Sequence, residues 1–257
     1  MPRFSANLSM MFGEHDFLDR FAAARKTGFK AVEFLFPYEH EPEEVGQAVR
    51  ESDVSVSVFN LFPGNWIDGD RGMAALPGKE DAFKETVERA VPYAKAVGAT
   101  QLHVMAGIID PVARTEQVYI DNIRYAADRM AVEGLKLLIE PINNRSMPGY
   151  FLSDTEQAID LLNRIDHQSV KLQFDVFHHQ ITHGDAIRSL STYKDRIGHI
   201  QIAGVPDRHE PDTGELNYRE VFRHIDQIGY QGWIGCEYLP KNGTYEGLDW
   251  FRQATLT

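Results

Sequence analysis

The chain has 257 residues, 43% of them hydrophobic, and a formal net charge of −12. This length allows one large core, so we predict a single domain over residues 1–257. The acidic balance, without a run of Lys or Arg, argues against nucleic acid or an anionic membrane as the main partner, because both need a basic surface. The single cysteine, Cys236, excludes an internal disulfide framework and a zinc site made of cysteines.

The first twelve residues contain one Arg and an apolar stretch that Ser5, Asn7 and Ser9 interrupt. This pattern is typical of neither a secretory signal nor a membrane span. We therefore expect a soluble, cytoplasmic protein, and the low cysteine content agrees with a reducing compartment.

Short β-rich runs alternate along the chain with longer segments in which apolar residues recur three and four positions apart, as in an amphipathic helix. A helical pattern follows each β-rich run, and most of these patterns begin after Ser, Asp, Asn or Thr, which favour helix N-caps. The predicted strands are residues 3–9, 30–36, 54–60, 100–107, 135–140, 170–175, 197–203 and 232–238.

Eight strand–helix units predict an α/β fold, a single (β/α)₈ TIM barrel, because an open doubly wound sheet usually has about five or six strands. No Gly-x-Gly-x-x-Gly sequence follows the first strand, which removes the main support for a dinucleotide-binding fold. The longest predicted loops are residues 61–77, 141–153 and 204–216. Each follows the carboxyl end of a strand, where such a barrel places its active site.

The last four predicted strands end on oxygen-bearing side chains: Glu140, Asp175, Gln201 and Glu237. Because the carboxyl ends of barrel strands surround one mouth, we expect these side chains to converge. Three carboxylates held together repel one another unless a cation is present. Oxygen ligands without thiolate favour Mg²⁺ or Mn²⁺. The alternative is that strand-end acids cap neighbouring helices or face solvent.

Other polar residues near the predicted mouth could bind a substrate. His178 follows Asp175 closely, and His103 lies on the fourth strand, although either could be an ordinary loop or interior histidine. Arg145 and Arg208 lie in loops after the fifth and seventh strands, and a guanidinium there would match a substrate carboxylate. Either arginine could also be a surface charge.

We expect Glu33, near the end of the second strand, to support the structure or the site without touching substrate. Aromatic side chains at the mouth could wall a small pocket and exclude water, although most aromatic residues of a barrel belong to its core. The candidates are Phe34, Phe36, Phe62, Trp66, Tyr150 and Phe177.

Several separate segments resemble the hydroxypyruvate isomerase family, in the same order along the chain. This family is a branch of the xylose isomerase-like barrels that also contains the 2-oxo-tetronate isomerases and, more distantly, ketose 3-epimerases and endonuclease IV. The resemblance runs from the N-terminus to about residue 252. It is carried by AVEFLFPY (31–38), IEPIN (139–143), FDVFH (174–178), HIQIAGVPDRHEP (199–211) and GWIGCEY (232–238).

The resemblance implies metal-assisted proton transfer on a small hydroxy-keto acid, with Glu140 and Glu237 as the acid/base pair. It implies Glu140, Asp175, Gln201 and Glu237 as ligands of Mg²⁺ or Mn²⁺, although distant epimerases have His where Gln201 stands. The loop EPINNRSMPGYF (140–151) is closer to the hydroxypyruvate isomerases. The expected reaction therefore interconverts hydroxypyruvate and tartronate semialdehyde through an enediolate.

Three alternatives use the same barrel. A 2-oxo-tetronate isomerase or a ketose 3-epimerase would have the same pair of glutamates and a larger substrate. A DNA-repair endonuclease would need a His-rich three-zinc cluster and a basic groove, and both Gln201 and the net charge argue against it. A catalytically silent sugar-acid-binding protein would keep the fold without turnover. The resemblance also suggests a homo-oligomer.

Overall fold

The eight strands of the protein form a closed parallel barrel in sequence order, with β8 paired to β1. A computed structural model describes residues 2–109 and 115–255. The prediction of a single (β/α)₈ TIM barrel is therefore confirmed. None of the helices in the described ranges is both long and apolar enough to cross a membrane.

The strands of the barrel are short. They are β1 (Phe4–Asn7), β2 (Ala31–Phe34), β3 (Ser55–Asn60), β4 (Gln101–His103), β5 (Lys136–Ile139), β6 (Val170–Asp175), β7 (Ile197–Ile202) and β8 (Ile234–Cys236).

The helices surround the barrel, and a 3₁₀ helix, Phe17–Asp19, comes directly before the first α-helix. The α-helices of the described residues are α1 (Arg20–Lys26), α2 (Pro42–Ser52), α3 (Glu80–Val97), α4 (Thr115–Val132), α5 (Thr155–Ile165), α6 (Val176–Thr182), α7 (Ala186–Tyr193), α8 (Tyr218–Gln227) and α9 (Asp249–Thr255).

All eight predicted strands are present, and the sixth has the predicted bounds, 170–175, whereas the bounds of the other seven were too wide. The run predicted at 100–107, for example, is a strand only over Gln101–His103. A residue counts as strand only where neighbouring backbones pair with it, and sequence periodicity does not report that pairing. As a consequence, Glu140 and Glu237 each come one residue after their strand.

Helix α6 was not predicted, because it follows β6 without a loop. Asp175 is both the last residue of β6 and the N-cap of α6, and its Oδ1 accepts a hydrogen bond from the Phe177 backbone N–H at 2.8 Å. A carboxylate at this position satisfies one of the free N–H groups of the first helical turn. The strand-to-helix junction therefore holds both Asp175 and His178 at the mouth.

The outward faces of the strands are apolar and pack against the helices. Phe4 of β1 contacts Phe222, Trp250 and Phe251 edge-on, with ring centroids 5.0, 5.2 and 5.9 Å apart. All four rings are buried, and edge-on pairs of this kind are favourable arrangements for aromatic rings. Helices α8 and α9 are thereby held against the first strand.

The barrel interior is polar, unlike the outward faces. The Glu33 carboxylate of β2 lies at the centre of this interior, where Oε1 accepts from Gln201 Nε2 at 2.8 Å and from Asn7 Nδ2 at 3.1 Å. Its Oε2 lies 2.8 Å from His199 Nε2 and 3.3 Å from Ser57 Oγ. Because these groups come from β1, β3 and β7, the bonds tie strands together across the barrel.

Gly235 of β8 leaves room for the Glu33 carboxylate. A Cβ atom built on Gly235 would lie 2.6 Å from the Glu33 carboxyl carbon, which is closer than real Cβ contacts allow. Glycine at this position therefore serves close packing inside the barrel.

We expect Gly235→Ala to lower the free energy of unfolding by about 1–3 kcal/mol, as overpacking of a filled interior does. Several hydrogen bonds hold the Glu33 carboxylate, so it cannot retreat from an added methyl group. Urea unfolding at neutral pH measures the change. Gly13→Ala is the control, because Gly13 is exposed and a Cβ there meets nothing within 4 Å. Equal stability of the two variants would contradict this account of Gly235.

Candidate active site

The carboxyl ends of β5, β6 and β8 bring three carboxylates to the barrel mouth. Glu140, Asp175 and Glu237 are 4%, 3% and 5% exposed, respectively. Buried carboxylates are rare unless they are paired or coordinate a metal. Their burial at one mouth agrees with convergence and does not fit the alternative in which they face solvent.

Arg208 supplies positive charge to this cluster from the loop after β7. Its Nη2 lies 2.6 Å from Glu237 Oε2 and 3.5 Å from Asp175 Oδ2, and its Nε donates to the Glu237 carbonyl oxygen at 3.3 Å. The guanidinium also lies over the Phe177 ring, 5.1 Å from the centroid. Arg208 therefore spans two of the three carboxylates while 21% of its side chain remains exposed.

One guanidinium beside three buried carboxylates does not balance their charge. Burial raises the pKa of Glu140 well above its usual value, and the negative charges of Glu237 and Asp175 raise it further. Burial raises the pKa of Asp175 to about 6 and the pKa of Glu237 to about 8, although Arg208 opposes both shifts. The cluster therefore lacks positive charge when no cation is bound.

The geometry of the cluster fits a metal ion. Glu140, Asp175 and His178 each offer one ligand atom, and these three atoms lie within 4.8 Å of one another. Glu140 Oε1 and Asp175 Oδ2 are buried without a hydrogen-bond partner among the described residues. Buried oxygens of this kind are available to bind a cation, and a hard divalent cation suits carboxylate oxygens.

Gln201, predicted as a metal ligand, is 2% exposed and lies opposite Asp175 in the pairing of β6 with β7. Its Nε2 donates to Glu33 Oε1, and its Oε1 accepts from Gln173 Nε2 at 2.7 Å. Both ends of the amide are thus bonded within the barrel interior. To bind a metal, its oxygen would have to accept a second interaction or release Gln173.

The two histidines predicted to bind substrate lie at the mouth. His103 is 1% exposed, both of its ring nitrogens lack a hydrogen-bond partner among the described residues, and Nε2 lies 3.6 Å from Glu140 Oε2. Burial lowers the pKa of His103 to about 3, and His199 adds to the shift. Burial also lowers the pKa of His178 well below its usual value, assisted by Arg208. Both rings are therefore neutral.

Arg145 lies apart from the carboxylates in this structure. Its Nη2 donates to the Pro206 carbonyl oxygen at 2.9 Å, which links the loops after β5 and β7. Among the predicted aromatic residues, Phe177 contacts Arg208, whereas the Tyr150 hydroxyl accepts from the Ala106 backbone N–H at 2.7 Å. Trp66 is 38% exposed. The roles assigned to Arg145 and to these rings stay predictions.

Asn7 is a site residue that sequence analysis did not identify. It is the last residue of β1, and its Nδ2 donates to Glu237 Oε1 at 3.2 Å as well as to Glu33. The predicted first strand, residues 3–9, ends on Ser9, so its bounds did not point to Asn7. The bonds that Asn7 makes across the barrel also depend on closure of the sheet.

We expect Glu140→Gln to raise the melting temperature of the metal-free protein, and to raise it more at pH 8 than at pH 5. Folding raises the pKa of this carboxyl, so the folded protein loses stability as the pH rises above the pKa of the carboxyl in the unfolded chain, about 4.3. Glutamine does not ionise, so the variant does not lose this stability at pH 8. Thermal unfolding in EDTA should show a gain on the order of 2–4 °C at pH 8, corresponding to about 1 kcal/mol.

Glu85→Gln is the control for this measurement, since Glu85 is exposed and lies within helix α3, outside the loops that surround the mouth. Its melting temperature should follow that of the wild type at both pH values. A Glu140→Gln protein that melts below the wild type at pH 8 would show that the carboxylates are not in electrostatic conflict.

Comparisons with known proteins agree with the fold. The sequence model of the xylose isomerase-like TIM barrel family matches residues 21–254. The 2-oxo-tetronate isomerase of Cupriavidus necator is 50% identical over 255 residues, which cover 98% of each chain. The hydroxypyruvate isomerase of Escherichia coli is 42% identical over 253 residues, which cover 97% of this chain and 98% of that one.

Solved structures are also similar. A crystal structure of an AP endonuclease of family 2 from Brucella melitensis has a TM-score of 0.97 and 45% identity, and covers 98% of this chain and 99% of that one. A D-allulose 3-epimerase from Methylomonas sp. has a TM-score of 0.77 at 16% identity, with coverage of 100% and 91%, and shows the shared fold alone. The chain belongs to the xylose isomerase-like TIM barrel family, and the predicted resemblance to its sugar-acid isomerases is confirmed.

Proposed function

We propose that this isomerase moves a carbonyl group between C2 and C3 of a short 2-oxo-3-hydroxy acid. The observation that supports the proposal most directly is the meeting of Glu140, Asp175, Glu237 and Arg208 at the barrel mouth. The identities of 50% and 42% to two sugar-acid isomerases supply the reaction class.

The two candidate substrates share the part of the molecule that reacts. Hydroxypyruvate and 2-oxo-tetronate each have a carboxylate at C1, a ketone at C2 and a hydroxyl on C3, and the four-carbon acid carries an added hydroxymethyl group on C3. We propose 2-oxo-tetronate as the main substrate because the relative of that name is 50% identical. Hydroxypyruvate, expected from the loop at 140–151, is the second candidate and is favoured by the 42% identical relative.

The reaction needs one carbon-bound proton to move from C3 to C2. Removal of the C3 proton forms a double bond between C2 and C3, the hydroxyl proton passes from O3 to O2, and a proton returns at C2. We assign these carbon proton transfers to Glu140 and Glu237. A positioned general base typically contributes about 10²–10⁴-fold to such a step.

The remaining side chains bind and orient the substrate. Arg208 uses two nitrogens toward Glu237, and a guanidinium has five N–H donors, so donors remain for the substrate carboxylate. His178 and His103 face the same space as neutral rings and can hydrogen-bond substrate oxygens. Arg145, whose loop borders Pro206, could meet the far end of a four-carbon acid.

Glu140 and Asp175 would hold a divalent cation, with Glu237 and Gln201 as the further ligands expected from the family. When bound, Mg²⁺ or Mn²⁺ would supply positive charge near the oxygens on C2 and C3, where negative charge develops. Glu140 Oε1 and Asp175 Oδ2, which have no hydrogen-bond partner among the described residues, support this assignment. The net charge of −12 does not favour DNA as an alternative substrate.

We expect turnover of 2-oxo-tetronate to exceed that of hydroxypyruvate, and both to depend on a divalent ion. Proton NMR in D₂O with EDTA-treated protein should show slow or no conversion, and addition of Mg²⁺ or Mn²⁺ should raise the rate at least about 100-fold, or several kcal/mol of barrier. Deuterium should enter at the carbon that is reprotonated. Full activity in EDTA would contradict the metal assignment, whereas no conversion of either acid would contradict the proposed reaction.

We expect Glu237→Gln to lower kcat about 10²–10⁴-fold, because glutamine cannot exchange a proton with carbon. Circular dichroism should show an unchanged fold, since Glu237 lies beyond the end of β8. Glu246→Gln is the matched control, an exposed glutamate on the loop after the same strand. Near wild-type turnover by Glu237→Gln on both substrates would remove Glu237 from the acid/base pair.

A further inference from the structure

His178 has a buried neighbour on the loop after β5. Asn143 is 1% exposed, and its Nδ2 lies 2.6 Å from His178 Nδ1. The Asn143 backbone N–H points at the same ring nitrogen, with the two nitrogens 3.4 Å apart. Two N–H groups of one residue therefore converge on His178 Nδ1.

The orientation of the Asn143 amide follows from its other hydrogen bond. The Ser146 backbone N–H donates to Asn143 Oδ1 at 2.8 Å. A backbone N–H can only donate, so the atom facing Ser146 must be the amide oxygen. The NH₂ end of Asn143 must then face His178.

The protonation pattern of the His178 ring follows in turn. Nδ1 faces donors, so it must accept and cannot carry a hydrogen. A neutral imidazole carries its one hydrogen on the other nitrogen, which here is Nε2. This nitrogen lies 3.5 Å from Asp175 Oδ2, on the side of the ring that faces the carboxylates.

We propose that Asn143 is a positioning residue that holds His178 as the Nε2–H tautomer, so that His178 donates a hydrogen bond to a substrate oxygen and does not bind the metal. This inference rests on the proposed function and deepens it. A metal ligand must offer a lone pair, and a protonated Nε2 has none. Proximity of His178 to Glu140 and Asp175 therefore does not make it a third ligand.

The proposed role suits the chemistry at C2 and C3. An N–H donor aimed at an oxygen that gains negative charge stabilises the transition state, and removal of one such donor typically costs about 10²–10³-fold in kcat. A metal bound by carboxylates without imidazole is also the arrangement that Mg²⁺ and Mn²⁺ accept. Asn143 acts through His178 and need not touch substrate.

The direct test reads the tautomer by long-range ¹H–¹⁵N NMR of the full chain with ¹⁵N-labelled histidine. His178→Gln identifies the His178 signals among the 10 histidines. We expect a protonated Nε2 and an unprotonated Nδ1, both without metal and after addition of Mg²⁺. A protonated Nδ1, or loss of the Nε2 hydrogen when Mg²⁺ is added, would overturn the inference.

A matched pair of variants tests the role of Asn143. Asn143→Asp replaces the donor with an acceptor, and we expect the ring hydrogen to appear on Nδ1 and kcat to fall about 10²–10³-fold. Asn144→Asp adds the same charge one residue away, where the side chain is exposed and bonds Ser153. It should leave both the tautomer and kcat close to wild type. An unchanged tautomer in folded Asn143→Asp would contradict the inference.

Different results would contradict the proposed isomerisation and the positioning of His178 by Asn143. The NMR measurement of the tautomer needs no turnover, and its one variant, His178→Gln, serves only to assign the signals. If His178 shows the Nε2–H tautomer but neither acid is isomerised, the proposed reaction is wrong and the positioning of His178 stands. If isomerisation occurs with a protonated Nδ1, the reaction stands and the role of Asn143 is wrong.

Discussion

Negative charge confined at one end of the barrel is the constraint on which the site depends. Three carboxylates are buried within reach of one another, and Arg208 neutralises them only in part. Isolated charges in a medium of low dielectric constant are costly, so the folded protein must offset that cost elsewhere. The apolar contacts between strands and helices provide that stability, while the carboxylates at the mouth keep raised pKa values.

Hydrogen bonds in the polar interior of the barrel fix the orientation of side chains in this carboxylate cluster. Glu33 is bonded to side chains from other strands, and Asn7 connects it to Glu237. Bonds that cross a barrel fix the orientation of side chains more firmly than contacts on a loop, because the strands cannot move independently. A similar connection on the other side of the mouth joins Ser146, Asn143 and His178. Glu237 and His178 are thus each held by a buried asparagine side chain from another part of the barrel.

The geometry of the site and the similarity to known enzymes together restrict the possible reactions of this protein more than either does alone. A xylose isomerase-like barrel supports several reactions, and structural similarity at 16% identity shows only the shared fold. Identities of 42–50% over nearly the whole chain link this protein to isomerases of sugar acids. At the mouth of the barrel, three carboxylates lie beside one guanidinium and two imidazoles.

The alternation of two sequence periods was sufficient to predict the barrel, because strands and amphipathic helices each bury one face at a characteristic spacing. The rule that strand ends meet at one mouth was sufficient to predict that Glu140, Asp175 and Glu237 would be near one another. Sequence spacing could not separate Arg208, which reaches the carboxylates, from Arg145, which bonds Pro206 on a neighbouring loop. Nor could it show that the Gln201 amide is bonded inside the barrel, or that Asn143 and His178 share a hydrogen bond. Those contacts join residues from different strand–helix units, so only closure of the barrel decides which side chains meet and which atoms face one another.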